Sequence, residues 1–254
     1  MDYGLQNKVA LVTGAASQIG MGKAICLVLA KEGCDIVSAD IDFEGAEKTA
    51  AAVKAVGRKA IALKADVANS SEVDEMANAA IKEFGKIDIL VNTAGLNAEK
   101  VSFMESKQEA WLKNLSVNLY GTMNCTKAVV PGMVERKYGK IINFSSDAAK
   151  MGSTNSYAAA KAGVLAFTRG LATQYGPSGI NVNAISPAIV NTNFSAGLSD
   201  ELVKNISEDF NARVPLRRTP TVADIANLVA FLASDVSKNI TGQCIHVDSG
   251  LIML

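Results

Sequence analysis

Short apolar runs rich in Val, Ile and Ala alternate along the chain with longer stretches in which apolar residues recur every three or four positions. The short runs predict strands, and the longer stretches predict amphipathic helices. The predicted strands are Lys8 to Thr13, Cys34 to Ala39, Lys59 to Ala65, Ile87 to Asn92, Lys140 to Ser145, Ile180 to Ile185 and Gln243 to Val247. The predicted helices are Gly22 to Lys31, Phe43 to Val56, Ser71 to Phe84, Glu109 to Arg136, Asn155 to Tyr175 and Thr221 to Ala233. This alternation predicts an α/β fold, a doubly wound parallel sheet with helices on both faces.

The predicted elements follow one another without a proline-rich linker, a composition shift or an internal repeat. We therefore expect residues 1–254 to form a single domain. The alternation breaks only between Ser186 and Pro220, a segment too long for an ordinary connection. Loops of that length often close over ligands, so we predict a substrate lid at about residues 186–220.

The composition argues against several classes of protein. The 25 basic side chains balance the 25 acidic ones, which argues against a general nucleic-acid binder. No apolar run approaches the ~20 residues that span a bilayer, and the first residues lack the pattern of a signal peptide. The four cysteines lack the paired spacing of metal ligands, so we expect free thiols, no metal and a cytoplasmic location.

The first predicted strand ends in a glycine-rich turn that leads into a helix. In such a turn, backbone N–H groups and the helix N-terminus can face a diphosphate. The predicted cofactor-binding residues here are Gly14, Ser17, Gln18, Gly20 and Met21. The alternative is a tight turn that binds nothing.

Asp40 ends the second strand, twenty residues after Gly20. A carboxylate at this place can accept hydrogen bonds from both hydroxyls of the adenosine ribose, and it would repel a 2′-phosphate. We therefore expect NAD rather than NADP as the cofactor. The alternative is that Asp40 only caps the helix that begins near Phe43.

A second group of polar residues follows the fifth strand. Ser145 and Ser146 end that strand, and Tyr157 and Lys161 stand four residues apart at the start of the next helix. This spacing places the ammonium beside the phenol on one helical face. A positive charge there, with the positive nicotinamide ring of NAD, would lower the tyrosine pKa toward neutrality and allow Tyr157 to act as a base.

Together these motifs identify the chain as similar to the short-chain dehydrogenases/reductases, from Lys8 to Gly250. The resemblance is carried by Thr13-Gly14, Asp40, Asn92-Thr93-Ala94-Gly95, Ser146, Tyr157 and Lys161. It implies a Rossmann-type sheet in strand order 3-2-1-4-5-6-7 and an NAD(P)-dependent oxidoreductase site at the carboxyl ends of the strands.

The resemblance also implies roles for single residues. The catalytic set would be Asn118, Ser146, Tyr157 and Lys161. Ser146 would hydrogen-bond the substrate oxygen, Tyr157 would remove its proton, and Lys161 would also hold the nicotinamide ribose. The further cofactor-binding residues would be Asp66, Val67, Asn92, Ala94, Gly95, Pro187, Val190 and Thr192.

Two spacings depart from the family pattern. Five residues separate Gly14 from Gly20, where the family usually has three, so Gln18 and Ile19 are predicted to lengthen the turn. Lengthened turns also occur in the divergent enoyl reductase branch, which spaces its Tyr and Lys differently. The interval from Ser146 to Tyr157 is one or two residues shorter than usual, and Ser145 could replace Ser146 only if the strand end shifted.

These departures keep a second hypothesis open, an inactive scaffold subunit that partners an active paralogue. The complete catalytic set favours an enzyme that interconverts a small-molecule secondary alcohol and a ketone, either a cyclic compound or a hydroxyacyl thioester. The resemblance implies a homotetramer, or a hetero-oligomer if the scaffold hypothesis holds. The predicted pocket and lid residues are Asn97, Lys100, Met151, Asn155, Asn193, Phe194, Leu198, Phe210 and Arg213. His246, in the last strand, is assigned no role.

Overall fold

All seven strands of the computed structural model join one parallel sheet in the order β3-β2-β1-β4-β5-β6-β7. The structure describes residues 2–99, 101–190 and 200–253. The strands are β1 (Val9–Thr13), β2 (Asp35–Asp40), β3 (Ala60–Lys64), β4 (Ile89–Asn92), β5 (Gly139–Phe144), β6 (Ile180–Pro187) and β7 (Cys244–Val247). The predicted fold class and strand order are confirmed.

The helices cover both faces of this sheet. They are α1 (Met21–Lys31), α2 (Phe43–Ala55), α3 (Ser70–Phe84), α4 (Gln108–Leu115), α5 (Gly121–Arg136), α6 (Ser156–Tyr175), α7 (Asp200–Arg213) and α8 (Val222–Ala233). Side chains of α1, α2 and α8 form a core with one face, and those of α3, α5 and α6 form a core with the other. Successive residues of β1 enter opposite cores, because side chains alternate along a strand.

Strand β6 runs two residues beyond its predicted end. Ser186 and Pro187 still pair with His246 and Val247 of β7. The apolar pattern stopped at Ile185, so it could not indicate this extension. As a consequence, β6 carries Ser186 to the edge of the sheet where the candidate site lies.

The continuous helix predicted from Glu109 to Arg136 is wrong in its middle. A π-helical turn at Ser116–Tyr120 separates α4 from α5, and the buried Asn118 lies within it. The hydroxyl of Thr122 donates to the Asn118 carbonyl at 3.0 Å, which satisfies a carbonyl inside the widened turn. Such turns add a residue to a helix and often occur at functional sites.

A second difference lies in the predicted lid. Helix α7 occupies much of it, although no helix was predicted there. The helix is mostly polar, and ion pairs from Lys204 to Glu208 and from Arg213 to Asp209 lie on its exposed side. Phe210, near its end, is buried. The partly buried Val203 and Ile206 recur with Phe210 at helical spacing, but the many polar residues between them obscured this pattern in the sequence.

The glycine turn between β1 and α1 is packed against neighbouring backbone. Gly14 has a φ of +67°, and a Cβ there would lie 2.8 Å from the backbone of Ala94, in the turn after β4. A Cβ on Gly22, in the first turn of α1, would lie 2.2 Å from the carbonyl oxygen of Gly14. Glycine at both positions lets the first helix and two strand ends approach closely.

We predict that Gly22→Ala lowers the free energy of unfolding by about 1–3 kcal/mol, because the added methyl group must push backbone apart. The matched control is Gly170→Ala in α6, where a Cβ meets nothing within 4 Å. It should raise stability by about 0.5–1 kcal/mol, as alanine favours a helix. Urea unfolding of the three proteins measures both effects. Equal stabilities for Gly22→Ala and wild type would contradict the tight packing.

Candidate active site

The predicted catalytic residues meet at the carboxyl end of β5. Tyr157 and Lys161 lie one turn apart on α6, and the Lys161 ammonium is 5.7 Å from the centre of the Tyr157 ring. The helix begins just before them, because the Asn155 side chain accepts a hydrogen bond from the Ala158 amide at 2.8 Å. Asn155, predicted to line the pocket, therefore caps the helix that carries the tyrosine.

The two serines at the strand end have different partners. The buried Ser145 hydroxyl donates to the Lys161 carbonyl at 2.9 Å, so it fastens β5 to α6. Ser146 hydrogen-bonds with Tyr157 instead. The short connection to Tyr157 thus still brings Ser146 to the phenol, and Ser145 faces away from it.

Burial determines the protonation states of Lys161 and Tyr157. Lys161 is 4% exposed, its ammonium donates to the Phe144 carbonyl at 2.9 Å, and desolvation lowers its pKa to about 8. Burial raises the pKa of Tyr157, and the hydrogen bond with Ser146 only partly opposes the increase. The expected lowering of the tyrosine pKa is therefore not a property of the chain alone, and the phenol is protonated at neutral pH.

Asn118 lies beside the lysine. Its side chain accepts from the Leu96 amide at 3.3 Å and donates to the Leu96 and Asn114 carbonyls. A Cβ on Gly95 would lie 2.8 Å from the Asn118 amide oxygen and 3.4 Å from the Lys161 ammonium. The glycine after β4 thus leaves room for both side chains.

Asp40 lies at the predicted cofactor end, where it holds the glycine turn. Its carboxylate accepts hydrogen bonds from the Ala16 amide at 2.9 Å and the Asp42 amide at 3.1 Å. Asp42, not Asp40, caps α2 by accepting from the Gly45 amide. A carboxylate offers about four acceptor positions, so Asp40 retains capacity for two ribose hydroxyls.

The lengthened part of the glycine turn is fastened to α2. The Gln18 side chain donates to the Ala16 and Gly45 carbonyls, and it accepts from the Lys23 ammonium at 2.8 Å. Gly20 lies close to Ser17, whose buried hydroxyl has no hydrogen-bond partner within the described ranges. Met21 begins α1.

Of the remaining predicted cofactor residues, Asn92 ends β4, and Asp66 and Val67 follow β3. Asn92 is fully inside, where it donates to Asn143 at 2.9 Å, so it joins β4 to β5. Val67 packs against Gly121 of α5, and the Asp66 carboxylate accepts from the Ala68 amide at 2.9 Å. Asp66 and Val67 thus shape the turn after β3.

Pro187 and the buried Val190 follow the extended end of β6. Thr192 lies outside the described residues, as do Lys100, Asn193, Phe194 and Leu198 of the predicted pocket. Of the other pocket residues, Met151 is exposed, Phe210 is buried, and Arg213 pairs with Asp209 on its own helix. Among the described residues, the contacts of Arg213 are thus with its own helix.

The residues present fit a dinucleotide along this edge. Two glycine turns, after β1 and β4, approach each other where a Cβ would clash. Four buried oxygen atoms near them have no hydrogen-bond partner in the described part of the chain: Ser17 Oγ, Asn92 Oδ1, Thr93 Oγ1 and Asn97 Oδ1. Buried polar atoms of this kind are costly unless a ligand or water satisfies them.

Sequence reasoning missed a cluster next to Ser146. His246 Nδ1 lies 2.8 Å from Asp147 Oδ1 and 3.7 Å from Asp248 Oδ2. Among the described residues, these three offer potential metal-ligand atoms that lie within 4.8 Å of one another. Asp147 directly follows the predicted Ser146, but no spacing in the sequence connects it with a histidine 99 residues later.

The four cysteines are free thiols, as expected, and three of them are buried. Within the described ranges, none of the helices has the length and apolar character needed to cross a membrane.

Comparisons with known proteins agree with this geometry. A family model described as enoyl-(acyl carrier protein) reductase matches residues 14–252. The chain is 40% identical to the 3-oxoacyl-(acyl-carrier-protein) reductase FabG of Staphylococcus epidermidis, over 97% of this chain and 100% of the relative. It is 41% identical to the (2S)-((R)-hydroxy(phenyl)methyl)succinyl-CoA dehydrogenase subunit BbsD of Thauera aromatica, over 97% of each.

Solved structures show the same relationship. Levodione reductase superposes with a TM-score of 0.90 at 31% identity and covers 96% of this chain and 97% of its own. A short-chain type dehydrogenase/reductase from Mycobacterium marinum gives 0.91 at 26% identity, with 100% and 98% covered. With its parallel sheet, its glycine turns and its Ser146, Tyr157 and Lys161 side by side, the chain belongs to the short-chain dehydrogenase/reductase family.

Proposed function

We propose that the protein is an NAD(H)-dependent oxidoreductase that interconverts a 3-hydroxyacyl thioester and the corresponding 3-oxoacyl thioester. The observation that carries the proposal is the contact of Ser146 and Lys161 with Tyr157 beside two closely packed glycine turns. These groups can bind a carbonyl or hydroxyl oxygen and transfer its proton. The bound dinucleotide would accept or donate the hydride at carbon.

Tyr157 is the proton-transfer group in this mechanism. The protonated phenol can donate to the oxygen of a ketone as the carbonyl is reduced, and the phenolate can take the proton back from the alcohol. The Ser146 hydroxyl would donate a second hydrogen bond to the same oxygen. At pH values below about 8 the Lys161 ammonium is charged, and it would stabilise the phenolate that forms beside it.

The cofactor preference rests on Asp40. Its carboxylate is fixed by two backbone amides at the end of β2, so it cannot turn away from a ligand without losing both hydrogen bonds. A fixed negative charge would accept ribose hydroxyls and repel a 2′-phosphate. We therefore propose NAD. Ser17, Gln18, Gly20 and Met21 would form the diphosphate turn, and Ala94, Gly95, Pro187, Val190 and Thr192 would border the nicotinamide half.

The substrate class is supported by the names of the relatives. The Staphylococcus epidermidis relative is a 3-oxoacyl reductase, and the Thauera aromatica relative is a dehydrogenase named for a hydroxylated acyl-CoA. Their carriers differ, but both names describe an acyl thioester that carries an oxygen function. The four-residue spacing of Tyr157 and Lys161 favours this ketone chemistry over the enoyl reduction named in the family model's description.

A tetramer is the assembly we propose. Phe103, Met104, Leu112, Tyr120 and Met123 are exposed apolar side chains on or near α4 and α5, and Phe103 stacks on Trp111. Such a patch favours contact with another subunit. The word subunit in the name of the Thauera aromatica relative keeps a hetero-oligomer with an active paralogue as the alternative. In that alternative this chain binds no NADH, a result that fluorescence titration detects directly.

We predict that Tyr157→Phe lowers kcat at least about 10³-fold, because the phenol oxygen is the proton-transfer group. The affinity for NADH should change by less than about threefold, since the ring and its packing remain. Reduction of acetoacetyl-CoA, followed by NADH absorbance, measures kcat, and fluorescence titration measures the affinity. Tyr175→Phe, on the same helix, is the matched control and should keep kcat. Full turnover by Tyr157→Phe would exclude the phenol as the acid.

We predict that Asp40→Ala weakens NADH binding about tenfold while NADPH binding holds or improves, because a charge-assisted hydrogen bond is lost together with the repulsion of the 2′-phosphate. Asp42→Ala is the matched control. It removes the cap of α2, so it should cost about 1 kcal/mol in stability and leave the NADH to NADPH ratio unchanged. An unchanged ratio in Asp40→Ala would remove Asp40 from the cofactor site.

A further inference from the structure

Ser146 stands between two anchored neighbours at the end of β5. On one side, the Ser145 hydroxyl fastens the chain to α6 through the Lys161 carbonyl. On the other side, the buried Asp147 carboxylate accepts from the Ser186 hydroxyl of β6 at 3.0 Å and lies 2.8 Å from His246 Nδ1 of β7. Ser146 itself has an extended backbone, with φ −162° and ψ 152°.

The contacts of His246 select one tautomer. The Lys150 ammonium lies 3.0 Å from His246 Nε2, and an ammonium can only donate. Nε2 must therefore be unprotonated, and the ring proton is on Nδ1. From there it points to Asp147 Oδ1, so the neutral imidazole donates a charge-assisted hydrogen bond to the buried carboxylate.

The same tautomer argues against a cation in this cluster. Nδ1 carries the proton and cannot bind a metal at the same time. Asp248 is also engaged, because its two oxygens accept hydrogen bonds from the Gly250 and Ile252 amides. Hydrogen bonds thus engage His246, both oxygens of Asp248 and Oδ1 of Asp147, whereas Asp147 Oδ2 is buried with no hydrogen-bond partner among the described residues.

From Asp147 the chain makes one short helical turn, in which the Ala149 amide donates to the Ser146 carbonyl and the Met151 amide donates to the Asp147 carbonyl. Residues 151–154, between Asp147 and the cap of α6, are exposed, and Gly152 has a φ of +71° with no atom within 4 Å of an added Cβ. This connection is also shorter than the family's usual interval. The Ala148 amide donates to the Ser146 hydroxyl at 3.3 Å, so the turn that begins at Asp147 holds this hydroxyl directly. Any movement of Asp147 would therefore displace the serine hydroxyl.

From this geometry we propose that His246 is a positioning residue, which holds Ser146 against Tyr157 by donating from Nδ1 to Asp147. The inference rests on the proposed function only for its effect on turnover. The anchoring of the connection can be measured without a substrate.

The test uses three variants at one position. His246→Asn places an amide N–H near the position of Nδ1, whereas His246→Gln places its amide near Nε2. His246→Phe keeps the ring and removes both nitrogens. The readouts are kcat for acetoacetyl-CoA with NADH, the NADH affinity, and hydrogen exchange of the backbone amides of residues 147–155.

We expect His246→Phe and His246→Gln to lower kcat about 10- to 100-fold, with NADH affinity within about threefold of wild type, because a displacement of ~1 Å is enough to impair proton transfer. Amide exchange in residues 147–155 should accelerate in both. His246→Asn should restore kcat and exchange to within about threefold of wild type. Loss of kcat in all three variants alike, or in none, would overturn the proposal.

A measurement on the wild-type protein tests the proposal even if a variant fails to fold. The chain has one histidine, so ¹⁵N-histidine labelling gives a single pair of imidazole nitrogen signals. We expect the Nδ1–H tautomer, and an Nε2–H tautomer would overturn the proposal. If wild type reduces no thioester, the proposed function fails, and the exchange rates still decide whether His246 anchors the connection. If Tyr157→Phe is inactive but His246→Phe is not, only the positioning role fails.

Discussion

The site depends on the buried ammonium of Lys161, which forms no ion pair with a carboxylate of the described residues. Lys161 gives one hydrogen bond to the Phe144 carbonyl and lies in a region where charge is costly. The lowered pKa of Lys161 results from the cost of burying its charge. The fold tolerates this cost because α6, β5 and the turn after β4 are each fixed around Lys161. A buried ammonium with few hydrogen-bond partners responds strongly to a phenolate or a ligand hydroxyl.

Several uncharged contacts keep these elements in place. Ser145 joins β5 to α6, Asn92 joins β4 to Asn143 of β5, and the π-helical turn brings Asn118 next to the lysine. Each is a buried polar group whose hydrogen bonds stabilise one arrangement and penalise others. Glycine in the turns after β1 and β4 allows the close backbone approach that these contacts require. The stability of the fold and the geometry of the site therefore depend on the same interactions.

Periodicity and short motifs record local structure, so they predicted the strands and the Tyr157–Lys161 pair. The strand order and the place of Ser146 beside Tyr157 followed from the resemblance to the short-chain dehydrogenases/reductases. The sequence did not reveal contacts between residues that are far apart in the chain. Asp147 and His246 are far apart in the chain, and only the pairing of β6 with β7 brings them together. Helix α7 was missed because its apolar positions Val203, Ile206 and Phe210 lie in a segment that is otherwise mostly polar. In the chain without cofactor, burial raises the tyrosine pKa more than the hydrogen bond with Ser146 lowers it, and burial is not visible from spacing.

The lowered pKa of the buried Lys161 can be tested by comparing how the stabilities of wild type and Lys161→Met depend on pH in the absence of cofactor. A folded-state pKa of about 8 against an ordinary 10.5 means that the unfolded chain binds more protons between these values, so stability must rise with pH there. From pH 7.5 to 9.5, urea unfolding should show wild type gaining about 2 kcal/mol relative to the variant. Parallel curves for the two proteins would contradict a desolvated, strained Lys161.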